Sequence, residues 1–116
     1  AAASETMWAL LAYASRGAVL ESSWRADVRS LAADGLAQAG ASRVIEVWCD
    51  VPQELAWQRD RERWPTRHAI HGVRMTGEER AGMEGHAEPL GLGPVIRVDT
   101  TKPVDVPALA DRIASC

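Results

Sequence analysis

A chain of 116 residues, 47% apolar and 25% charged with a formal net charge of −3, has the make-up of one soluble globular domain with a modest core. The mild negative balance excludes the broad positive field on which nucleic-acid binders rely. No run of 18 apolar residues occurs, and no basic stretch leads into an apolar one, so neither a membrane span nor a signal peptide is expected.

Ser4 is expected to cap a first helix running to about Ser15, with Met7, Leu10, Leu11 and Ala14 on one face. Gly17 breaks it, and AVLES (18–22) reads as a short buried strand ended by Glu21. A helix is expected over 25–39, where Val28, Leu31, Ala32, Gly35, Leu36 and Ala39 recur at helical spacing before Gly40 stops it. SRVIEVWCDVP contains the clearest strand, Val44 to Cys49, with Trp48 in its apolar interior. The next helix, about Gln53 to Trp64, is halted by Pro65. Residues 66–75 read as irregular, and Thr76 with Glu79 has the spacing of a capping box opening a polar helix. A second strand, Val95 to Val98, precedes a final helix with Asp105 as cap, Pro107 in its first turn, and Val106, Leu109, Ala110 and Ile113 facing the core. Apolar β-rich runs alternating with amphipathic helices argue a parallel α/β sheet. Three strands make a thin sheet, and the alternation suggests that one or two more complete it.

The two cysteines, Cys49 in an apolar run and Cys116 at the last position, form no disulfide framework. They point to a reducing, cytoplasmic compartment.

The segment RERWPTRHAIHG (61–72) crowds three arginines and two histidines around a tryptophan and a proline. On a helix, Leu55, Arg59 and Arg63 rise along one face at four-residue spacing, with Trp57 and Trp64 roughly opposite and Arg67 just past the proline turn. Guanidinium forks match phosphate oxygens, and several together can neutralise a polyphosphate. The interspersed Glu54, Asp60 and Glu62 also allow an ordinary solvated face of weak ion pairs. His68 and His71 stand three apart, with His86 distant and no cysteine nearby, which is poor spacing for zinc. A loop-fixing or anion-touching role suits these histidines better, and no protein metal site is expected.

Ligands of open α/β sheets sit beyond the carboxyl ends of the strands. Three carboxylates follow apolar runs there: Glu21, Asp50, and Asp99 with Thr100 and Thr101 beside it. Such a carboxylate can take a proton from a substrate hydroxyl or hold a magnesium-bound water. It can also cap the following helix, which is the reading favoured for Asp50.

Taken in order, GAVLESSWR, VIEVWCDVPQELAWQRDRERWPTRHAIHG and PVIRVDTTKPVDVPALADRI resemble the carboxyl-terminal part of small P-loop kinases of the AAA-type ATPase group. The bacterial relatives of zeta toxin, gluconate kinase and chloramphenicol phosphotransferase belong to that group. The resemblance covers residues 17–113. It implies a parallel three-layer sandwich of P-loop nucleoside-triphosphate hydrolase type, incomplete at the N-terminus, forming a single partial domain over 1–116 with a lid segment at about 53–75. It further implies an ATP-dependent phosphotransferase acting on a small-molecule hydroxyl, with ATP and Mg2+ as cofactors. Arg59, Arg63 and Arg67 would be lid residues closing over the phosphates, and Glu21 would lie near the phosphoryl acceptor and magnesium. Asp99, Thr100, Thr101, Lys102 and Pro103 would border the adenine ring.

The chain departs from that pattern in one respect. The Walker A loop, G-x-x-x-x-G-K-[ST], is absent, and GLGP (91–94) has no lysine and precedes a strand rather than a helix. Because the chain also lacks an initiator methionine, the loop is expected to precede Ala1 in a longer protein, and the chain by itself is not expected to transfer phosphoryl groups. Besides a small-molecule substrate, a homodimer is compatible with the sequence, whereas nucleic acid and membrane are not expected as partners. Two further readings stay open: a nucleotide-binding or regulatory α/β module without turnover, and a domain that binds a protein partner through exposed tryptophans such as Trp24 or Trp64. Residues 72–90, with Met75, Met83 and His86, are where acceptor specificity would reside.

Overall fold

The computed structural model describes residues 2–72 and 74–116. Among these residues, five helices and two strands follow one another as α1 (Ala2–Ala12), α2 (Arg29–Gln38), β1 (Glu46–Asp50), α3 (Gln53–Arg63), α4 (Gly77–Glu84), β2 (Val95–Asp99) and α5 (Val106–Ser115). Single 3-10 turns lie at Ala26–Val28, Trp64–Thr66 and Ala69–His71. The chain divides into two compact units, one of residues 1–46 and 86–95, the other of residues 47–85 and 96–116.

In the first unit α1 packs on α2. The indole of Trp8 lies directly over Gly35, where a side chain of any size would collide with it. The ring of Trp24 stacks obliquely on that of Trp8, centroids 5.9 Å apart, and its Nε1–H donates to the Leu20 carbonyl at 3.5 Å. Ala32 and Gly35 are the buried positions of α2, as the spacing predicts, whereas Leu31 is 69% exposed. Ser4 does not cap α1, because the helix already starts at Ala2.

The expected strand at residues 18–22 does not form. The stretch is irregular and Val19 is 97% exposed. A strand exists only through its ladder. The backbone bonds found around this stretch are local ones, from the Gly17 N–H to the Ala14 carbonyl and from the Trp24 N–H to the Ser22 carbonyl.

The loop before β2 is fixed within the same unit by Glu46. Its two carboxylate oxygens accept from the N–H groups of Leu90 at 2.7 Å and Gly91 at 2.9 Å. Gly91 has φ +66, a left-handed conformation natural only to glycine, and Arg29 donates to its carbonyl at 3.2 Å.

The sheet has two strands and is parallel. The Glu46 N–H donates to the Pro94 carbonyl and the Thr100 N–H to the Asp50 carbonyl, both at 2.9 Å. This register sets Glu46 beside Val95 at one end and Asp50 beside Asp99 at the other. The molecule is therefore of mixed helix and strand, broadly α/β, with two of the three expected strands present. Within the second unit β2 buries Ile96 and Val98 and exposes Arg97 and Asp99. Trp48, expected in the core, is half-buried on β1.

Local signals set the helices of this unit. Thr76 Oγ1 accepts from the Glu79 N–H at 3.2 Å while the Glu79 carboxylate accepts from the Thr76 N–H at 2.7 Å, which completes the expected capping box of α4. Asp105 caps α5 by accepting from the Ala108 N–H at 3.0 Å. Only Leu109 and Ile113 of the expected inner face of α5 are half-buried, and Val106 is 65% exposed. Asp50 caps nothing. The N-cap of α3 is Pro52, without a side-chain bond, and Asp50 instead pairs with Arg97 at 2.8 Å. No helix of the described residues is long and apolar enough to cross a membrane.

Candidate anion site in the arginine-rich segment

Within the second unit, α3 ends where Pro65 enters a 3-10 turn, and Thr66 Oγ1 secures that turn by donating to the Arg63 carbonyl at 3.0 Å. The chain then extends through Arg67 and His68 and tightens into the turn Ala69–His71. His68 Nδ1 accepts the Ile70 N–H at 3.2 Å. A nitrogen that accepts cannot also carry the proton, so the neutral ring holds its proton on Nε2. Gly72, with φ 71 and ψ −151, lies in a region that essentially only glycine occupies. These local constraints fold the segment around a shallow concavity of about 170 Å³ lined by Trp64, Arg67, His68, Ala69, His71 and Gly72. It is smaller than the roughly 300–1,000 Å³ of a small-molecule pocket, and suits an anionic group better than a whole nucleotide.

The charge here runs against that of the chain. Residues 53–75 hold five arginines against three carboxylates, whereas the whole chain has a net charge of −3. The arginines are held differently from one another. Arg59 donates to the Thr100 carbonyl at 2.8 Å and to the Thr101 carbonyl at 3.4 Å. It therefore joins α3 to the loop after β2 and is not gathered with Arg63 and Arg67. Arg63 is exposed in the last turn of α3, and its guanidinium has no partner among the described residues. Arg67 lies over the Trp64 ring, 5.9 Å from its centroid, and bonds Asp60 at 3.0 Å.

A fourth arginine was not singled out by sequence reasoning. Arg80 of α4 bonds the other oxygen of Asp60 at 3.1 Å and lies over the Trp57 ring at 5.6 Å. The available signal was slight: Arg80 is the one cation in a helix that also carries Glu78, Glu79 and Glu84.

The loop beyond β2 is organised by its own side chains. The Asp99 carboxylate accepts from Thr101 Oγ1 at 2.6 Å and from the Thr101 N–H at 2.9 Å. Those two bonds, with Lys102 at 3.9 Å as a lesser influence, hold the Asp99 carboxyl below the usual aspartate range. Thr100 Oγ1 donates to the Asp50 carbonyl at 2.9 Å. The neighbouring carboxylates at the ends of the two strands are thus each balanced, Asp50 by Arg97 and Asp99 by Thr101 and Lys102, which relieves the repulsion of adjacent like charges. Pro103 is exposed at the end of this loop.

Glu21 belongs to the first unit. It is exposed in the irregular stretch of the first unit, at the end of no strand. Trp24 and Trp64, whose exposure would favour a protein-docking role, are both half-buried. Among the described residues no group of three or more His, Cys, Asp or Glu side chains is arranged to hold a metal ion.

The chemistry open to segment 59–72 is recognition of a small oxyanion by guanidinium and imidazole N–H groups. Compared with models of protein families, with curated proteins and with solved structures, the chain matches none.

Proposed function

We propose that this chain is the carboxyl-terminal part of an ATP-dependent phosphotransferase that acts on a small-molecule hydroxyl, and that segment 59–72 contacts the phosphates. The observation that carries the proposal is the concavity lined by Arg67, His68 and His71, in a crossover that leaves the carboxyl end of β1, with Arg63 exposed in the helical turn that precedes it. In this reading β1 and β2 belong to a larger parallel sheet of three-layer P-loop type, and residues outside this chain supply the Walker A loop. The residues fit the phosphates of ATP: Arg63 and Arg67 would bind them, while the loop Asp99 to Pro103, braced by Arg59, would border the base. They do not fit Mg2+, because Asp50 is engaged by Arg97 and Asp99 by Thr101. The compartment proposed is the cytoplasm, in keeping with Cys49 and Cys116 lying outside any disulfide. The acceptor is a small molecule, and a homodimer is compatible with this reading.

A nucleotide-binding module without turnover is the second reading. The position of Glu21, exposed and outside any strand, favours it, since no carboxylate is then held ready to take the acceptor's proton.

The deciding experiment is ADP release by the full-length protein, with ATP and a panel of small hydroxyl acceptors. Acceptor-dependent release, weakened at least about tenfold in ATP affinity by Arg63→Ala or Arg67→Ala, is the expected result. ATP binding with no acceptor-dependent release establishes the second reading. An absence of ATP binding removes both.

A further inference from the structure

We propose that Arg67 and Arg80 form a two-guanidinium clamp for a phosphoryl group, and that the Asp60 carboxylate occupies the anion's position until the ligand displaces it. The proposal rests on the phosphate-binding part of the function above, not on turnover. Trp57, Asp60 and Trp64 stand at i, i+3 and i+7 of the run that forms α3 and its closing turn, and so share one face. Each arginine lies on one of the two indoles, Arg80 over Trp57 and Arg67 over Trp64. The ring restrains each guanidinium by a cation–π contact, and both donate to the single Asp60 carboxylate, one to each oxygen, at 3.0 and 3.1 Å.

Two guanidiniums share this one carboxylate, and two neighbouring acids hold other partners. Glu62 accepts from Gln58 at 2.9 Å, and Glu79 belongs to the capping box. A guanidinium has five N–H donors, and each of these shows a single bond to Asp60. A phosphoryl group has three oxygens and a higher charge than a carboxylate, so it can use donors that Asp60 leaves idle. Arg67 also lines the concavity and is common to it and the clamp. Arg80, 11% exposed, is already positioned to receive it.

The test is titration of the full-length protein with inorganic triphosphate, followed through the indole N–H resonances of Trp57 and Trp64. Asp60→Asn should tighten binding about tenfold by removing the competing carboxylate, and Arg80→Gln should weaken it by a similar factor while abolishing the shift at Trp57. Arg80→Lys, which keeps the charge without the planar fork, should recover only part of the loss. Equal or weaker binding in Asp60→Asn, or an unchanged affinity in Arg80→Gln, reduces the trio to a structural ion pair and overturns the clamp. Should Asp60→Asn fail to fold, Arg80→Gln decides the matter alone. ATP in place of triphosphate separates the two proposals. Triphosphate binding that obeys Asp60 and Arg80, with no gain from the adenosine, keeps the clamp and removes the nucleotide. ATP binding indifferent to both residues does the reverse.

Discussion

Arg59 donates to the main-chain carbonyl of Thr100 at 2.8 Å, across 41 residues of sequence. A charged donor on a part-buried carbonyl is worth more than a neutral hydrogen bond, about 1.5–3 kcal/mol. Partial exposure places this one at the lower end. Arg59→Met, which preserves the packing of the stem, is expected to lower stability to urea by about 1–2 kcal/mol, with Arg59→Lys recovering part of it. Equal midpoints for all three proteins would show that the contact contributes nothing to folding. It would also return Arg59 to the set of arginines available to a ligand.

Glu46 supports the first unit in a comparable way, with the roles of side chain and backbone reversed. Its carboxylate receives two N–H groups, and one of their residues, Leu90, is only 7% exposed. Glu46→Ala orphans both donors, and an unsatisfied buried donor costs about 1–3 kcal/mol, so a loss of about 2 kcal/mol is expected. Glu46→Gln keeps one acceptor oxygen and should fall between. Hydrogen exchange at Leu90 and Gly91 separates this from a general loosening, because those two amides should lose protection first.

Features set by neighbouring residues were legible in the sequence. The Thr76–Glu79 box and the Asp105 cap are contacts over three residues, and the spacing alone announces them. β1 and β2 were also legible, within one or two residues at their ends. AVL at 18–20 has the composition of a strand but no ladder, and composition does not reveal whether a partner exists. Arg59 illustrates the same limit at the candidate site. Its helical face could be read from spacing, whereas its engagement with Thr100 depends on where the chain returns. Arg80 reaches Asp60 from 20 residues away, and its being the one cation of GEERAGME does not reveal that partner.

The contact of Trp8 with Gly35 gives a prediction whose sign opposes local propensity. In a free helix Ala is preferred over Gly by about 1 kcal/mol, so an exposed Gly→Ala change in α2 should stabilise. Gly35 is buried beneath the Trp8 indole, which in turn meets Trp24. Overpacking at such a site costs about 1–3 kcal/mol, and Gly35→Ala is therefore expected to destabilise by about 1 kcal/mol net. The near-ultraviolet dichroism of the indoles should change with it. A stabilised variant with an unaltered indole spectrum would show that Trp8 moves aside freely.

The capping box of α4 makes part of that helix's stability depend on acid. The Thr76 N–H, and secondarily the Thr76 hydroxyl, hold the Glu79 carboxyl below the usual glutamate range. A carboxyl depressed on folding contributes stability above its unfolded value, about 4.3. That contribution declines as the pH falls through the lower folded value. Protection of the α4 amides against hydrogen exchange should accordingly be level near neutrality and decline in that acidic window. Glu79→Gln retains an acceptor for the Thr76 N–H without a titrating group, so its profile should stay flat where the parent's falls. An identical acid decline in the Gln variant would move the cause to another carboxylate of the second unit, with Asp99, whose carboxyl is also held low by Thr101, the next to be replaced.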